Sequence, residues 1–95
     1  MIELKQTVDA MCSSDYKERF KAEYFQLKIR TEKLTKFVNK IEAAQESTKV
    51  REPEHDCSFT LLINQLHMMR EYLHILEIRA IIENVDLNTD PTVKE

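Results

Sequence analysis

His67, Glu71 and His74 are the residues whose types and spacing most directly suggest chemistry. They lie in the stretch HMMREYLH at i, i+4 and i+7, which sets three side chains on one face of a helix. Two imidazoles and a carboxylate on one face are the raw material of a metal site. Glu71 and His74 also form a Glu-x-x-His pair, the unit that di-iron bundles use. Two further groups raise similar questions. His55 and Cys57 flank Asp56 just before a helical pattern begins, where a helix N-terminus can lower a thiol pKa. Arg30, Tyr72 and Arg79 could grip a phosphate by charge and a base by stacking.

What these residues can do depends on the elements that position them. The chain has 95 residues, 42% of them hydrophobic and 33% charged, which is the balance of one small folded domain. Gly is absent and Pro occurs twice. Without Gly, hairpin turns and bulges are hard to build, so the composition favours long helices and excludes every Gly-rich phosphate loop. A net charge of -3 offers no broad basic field for nonspecific nucleic-acid binding. No apolar run is long enough for a membrane span. The start, MIELKQTVDAMC, has no basic and apolar leader pattern, so an export signal is not expected. The two cysteines, Cys12 and Cys57, are then expected to be reduced thiols in a cytoplasm.

Two helices are predicted, at about 14–46 and 58–84. Ser13 or Ser14 would cap the first, with Asp15 and Glu18 in its first turn, and Asp56 or Ser58 the second. Phe20, Tyr24, Leu27, Thr31, Leu34, Val38 and Ile41 step by four and three along the first helix. Phe59, Leu62, Leu66, Met69, Leu73, Leu76 and Ala80 do so along the second. Both are heptad seams. Folding the chain back at the polar, Pro53-bearing connection pairs Phe20 with Ala80, Tyr24 with Leu76 and Ile41 with Phe59. The flanks would bring Glu23 to Arg79, Lys28 to Glu77 and Arg30 to Tyr72. The expected fold is all-α: an antiparallel two-helix hairpin over 14–84, coiled-coil-like. A short segment at 1–13 precedes it and a flexible tail at 85–95 follows.

This frame decides most of the chemistry. His67 and His74 fall at heptad position b and Glu71 at f, all directed away from the seam. Their plainer reading is a solvated helix face, and a metal site is the lesser one. Cys12 and Cys57 precede different helices and would lie at opposite ends of the hairpin, beyond the ~7 Å a disulfide can bridge. No oxyanion donor or pocket accompanies His55 and Cys57, so no catalytic residue is assigned and no enzyme is expected. No cofactor is expected. The basic residues of the first helix alternate with glutamates, which is the pattern of a solvated face.

The second helix has more apolar surface than one seam uses. Leu61, Met68, Tyr72, Ile75 and Ile82 make a further stripe, to which Ile63, Ile78, Ile81 and Val85 add. Two helices alone build a thin core. The stripe is therefore read first as an interface through which hairpins self-associate into a bundle; cover by the folded-back N-terminal segment and a site for a partner protein are the other readings.

The segments DYKERFKAEYFQLKIRTEKLTKFVNKIE and LLINQLHMMREYLHILEIRAIIENV resemble a family of short phage-encoded proteins, named after an uncharacterised protein of a crAss-like bacteriophage. The resemblance covers about residues 15–46 and 60–85. It implies a helical hairpin made by a phage and acting in a bacterial host cytoplasm. It carries no functional residue over. The expected function is a non-enzymatic binding protein that blocks a host factor, a counter-defence inhibitor, through its helical surface. The alternative is an oligomer that holds a nucleotide signal at a subunit junction lined by Arg30, Tyr72 and Arg79.

Overall fold

The computed structural model describes residues 3–88. Its elements are a 3₁₀ turn, Leu4–Thr7, and three helices: α1 Val8–Met11, α2 Tyr16–Glu46 and α3 Phe59–Glu83. No strand occurs among the described residues. The molecule measures 50 × 24 × 21 Å, and its length is that of α2, ~46 Å at 1.5 Å per residue.

Local chemistry sets each helix end. The side chain of Asp15, not of Ser13 or Ser14, caps α2 by accepting from the Lys17 amide. Asp15 sits one residue later than the expected cap, and its carboxylate also suits the positive helix end. Ser58 caps α3 by accepting from the Leu61 amide. Asn84 ends α3 in the left-handed conformation, φ 58° and ψ 48°, a backbone that Asn tolerates better than most residues. The Val85 amide then donates to the Ala80 carbonyl at 2.8 Å, and the Lys17 ammonium donates to the Asn84 carbonyl at 3.2 Å.

The two long helices pack together, with the start of α2 against the end of α3. Phe20, Tyr24, Leu76 and Ala80, all seam residues, form the main core cluster with Val85, and Leu27, Leu73 and Leu87 pack on it. Val38, Ile41 and Leu66 continue the buried line. Thr31, the one polar seam residue of α2, is buried. Its hydroxyl donates back to the Leu27 carbonyl at 2.7 Å, which removes the cost of an unpaired polar group.

Among the described residues, the segments before α2 and after α3 both pack on the long helices. Val85 is buried and Leu87 partly buried against the core, so the segment that follows α3 turns back onto the helices instead of fraying from residue 85. The reverse turn at Asn84 makes this return. The rest of the expected tail, 89–95, lies outside the described residues. At the other end, the 3₁₀ turn and α1 pack on α2. Thr7, Ala10 and Ala22 are buried there, and the Gln26 amide donates to the Thr7 hydroxyl at 2.7 Å.

Candidate functional site

The richest cluster of polar and aromatic groups gathers where α1, the start of α2 and the end of α3 meet. Arg79 is its hub. Its guanidinium carbon lies 5.1 Å from the centroid of the Phe20 ring, within cation–π range. One terminal nitrogen donates to the Tyr16 hydroxyl at 2.6 Å, and Nε donates to the Glu83 carboxylate at 2.9 Å. The Tyr16 hydroxyl donates in turn to Glu83 at 2.7 Å. Tyr16 and Phe20, one helical turn apart, meet edge to face with centroids 6.2 Å apart.

These contacts set the charge states. Hydrogen bonds from Tyr16 and then Arg79 hold the Glu83 carboxyl below its usual pKa. The hydrogen bond to that carboxylate raises the Tyr16 phenol, and the Glu83 partner likewise raises Arg79. Beside the cluster opens a cavity of about 460 Å³. Arg79, Tyr16 and Phe20 line one part of it, and Arg19, Glu23, Gln26 and Met11 the rest. Arg19 donates to the Ser13 carbonyl at 2.7 Å, which ties the link after α1 to α2. Gln26 also bonds the Met11 sulfur.

A second open cavity, about 390 Å³, lies on the other flank beside Tyr24, Lys28, Glu77 and Ile81. Burial raises the Tyr24 phenol first, and the Glu77 charge adds to it. The Tyr24 hydroxyl reaches Glu77 at 3.5 Å, and the Lys28 ammonium sits 6.0 Å from the Tyr24 ring. The expected Lys28–Glu77 ion pair is thus replaced by contacts of both residues with Tyr24, which stands between them.

The residues expected to share a ligand are split. Arg79 lines the first cavity, and Tyr72 touches it only through Glu23, to which its hydroxyl bonds. The expected Glu23–Arg79 pair yields to Arg79–Glu83 because an i, i+4 partner on the same helix needs no cross-helix reach. Arg30 is exposed and lies two helical turns beyond Glu23, outside the cavity lining. Sequence reasoning missed Tyr16, Arg19 and Gln26. Tyr16 and Phe20 at i, i+4 with Arg19 between them is the signal that could have marked an aromatic and cationic end of α2.

His67, Glu71 and His74 are all exposed on α3. Among the described residues no three His, Cys, Asp or Glu side chains gather as a metal would need. His55 points its Nδ1 at the Cys57 carbonyl, 2.6 Å away, and stacks edge-on against Phe37, so its ring is engaged with backbone and α2. Cys12 and Cys57 are free and exposed. Leu61, Met68, Tyr72, Ile75 and Ile82 are all exposed along α3. Among the described residues no helix is long and apolar enough to cross a membrane.

No curated protein and no solved structure matches the chain. A family model, Sequestin, matches residues 14–82. That span contains α2, all of α3 but its last residue, Arg79 and most of the first cavity's wall. The chain belongs to the Sequestin family.

Proposed function

We propose that this protein is a non-enzymatic sequestering protein. It binds a small phosphate-bearing signal, a nucleotide, and withholds it without transforming it. The observation that carries this reading is the Arg79 cluster: a guanidinium on an aromatic face, beside a second guanidinium, a second ring and an amide, around one open cavity. Guanidinium suits phosphate, and rings suit a base. The family name, Sequestin, speaks of sequestering, which supports holding over turnover. A phosphate entering the cavity would take the face of Arg79 that Glu83 now holds.

The subunit in this reading is an antiparallel helical hairpin that self-associates. It is phage-encoded and acts in the host cytoplasm against a defence signal. A second reading, occlusion of a host protein by the helical surface, is favoured by Ile81 and Ile82, which are 82% and 76% exposed.

Thermal denaturation with ATP, ADP, AMP and cyclic mono- and dinucleotides tests the first reading. A ligand at 100 times its Kd adds about 2.7 kcal/mol, enough to raise Tm by several degrees in a chain this small. Arg79→Ala and Arg19→Ala should lose the shift and Arg30→Ala should keep it. No shift with any of these nucleotides favours the protein-binding reading.

A further inference from the structure

The second cavity, about 390 Å³, lies towards the C-terminal end of α3, and its volume is that of a small-molecule site. Its charge is the reverse of the first cavity's. Glu77 of α3 and Asp86 of the segment that returns after Asn84 bring two carboxylates, against the single ammonium of Lys28. The carbonyl end of α3 is also the negative end of the helix dipole, and its last turn holds no basic residue. The chain answers this field with ammonium groups of its own. Lys17 donates to the Asn84 carbonyl at 3.2 Å. The Lys28 ammonium lies over the Tyr24 ring, 6.0 Å from its centroid, at the outer limit of a cation–π contact. Glu77 is left short. Its carboxylate accepts from the Tyr24 hydroxyl at a long 3.5 Å, and among the described residues it forms no ion pair.

We infer that this cavity binds an aliphatic diamine or polyamine, with one ammonium between Glu77 and the Tyr24 ring and the carbon chain over Ile81 and Leu87 towards Asp86. The inference uses none of the residues of the nucleotide reading. Each part of the lining suits one part of such a ligand. A carboxylate takes an ammonium in a charge-assisted hydrogen bond. The face of a ring attracts the same charge. Ile81 and Leu87, which line the cavity, shield methylene groups from water. Burial and then the Glu77 charge raise the Tyr24 phenol, so the hydroxyl stays a neutral donor that steadies the carboxylate. Asp86 is steadied in turn, accepting from the Asn88 amide at 2.8 Å. Lys28 is exposed, so its ammonium can leave the ring for water when a ligand ammonium enters. Two carboxylates disfavour an anion here. A divalent metal would need a fuller set of oxygen ligands, and among the described residues no three His, Cys, Asp or Glu side chains gather to supply one.

Calorimetric titration of the full chain with 1,4-diaminobutane and with spermidine, at constant ionic strength, tests this, and NMR shifts of methyl groups and rings place the ligand. Saturable binding is expected, with shifts at the Ile81 and Leu87 methyls and the Tyr24 ring. Glu77→Gln, with its helical circular dichroism intact, should weaken binding about tenfold, as the loss of a hydrogen bond to a charged group does. Lys28→Met should strengthen it by removing the competing ammonium. Glu71→Gln, the same charge change at another exposed position of α3, should leave it unchanged. Equal weakening by Glu71→Gln and Glu77→Gln, or an equal response to magnesium chloride, would mean general charge attraction only and overturn the inference. Shifts centred on Tyr16 and Met11 would place the amine in the first cavity and overturn it too, as would the absence of saturable binding. No nucleotide enters these titrations, so failure of the nucleotide reading would show separately in the thermal shifts.

Discussion

Arg79 is held on three sides, by the Phe20 ring, the Tyr16 hydroxyl and the Glu83 carboxylate. Only Glu83 competes directly with a phosphate. Glu83→Gln should therefore tighten nucleotide binding, by up to about fivefold if the pair behaves as exposed ion pairs do, as read by titration calorimetry. The same residue gives an acid sensitivity. Its folded pKa lies below the ordinary carboxylate value, so its contribution is present above the unfolded pKa. That contribution is lost as pH falls through the folded one. Urea denaturation at a series of pH values below 5 should show Glu83→Gln losing less stability than wild type. The sequence singled out Arg79 as a candidate through its place on the seam's flank. It hid the partner, because a same-helix Glu four residues on outcompetes the cross-helix Glu23.

At the scale of elements, the heptad steps were enough to name the buried line. Phe20, Tyr24, Thr31, Val38, Ile41, Leu66, Leu76 and Ala80 are all seam positions, and all are buried. A seam can be read because alternating steps of three and four return to one helix face. The ends were less legible. Ala22 is fully buried although it lies off the seam, because the short N-terminal helix covers that face, and a four-residue helix has too few turns to show a period. Val85 is buried because Asn84 reverses the chain, a conformation that no hydrophobic pattern reports. Asn84→Ala should destabilise the fold by about 1 kcal/mol through the left-handed backbone it must adopt. Asn84→Gly should be neutral or slightly stabilising. Urea midpoints of the two variants check the pair, and equal losses would remove the conformational explanation.

The whole molecule is two helices thick, with a core that is long and narrow. Ile41, Leu76 and Thr7 are its largest fully buried side chains. Leu76→Ala should cost about 2–5 kcal/mol, much of what a domain this small has to lose. Self-association along α3 would add stability that rises with protein concentration, so the Tm of wild type should climb on dilution series run upward while that of Met68→Glu stays fixed. Under the proposed function the molecule withholds its ligand: nucleotide would be bound in proportion to the protein present and returned unchanged. The most direct measurement is calorimetric titration of the full chain with ATP, ADP, AMP and cyclic mono- and dinucleotides, followed by recovery of the bound nucleotide. Saturable binding of at least one of them, lost in Arg79→Ala, with the nucleotide recovered intact, is the expected result. No binding by any of them, or recovery of a cleaved product, would contradict sequestration at the Arg79 cavity.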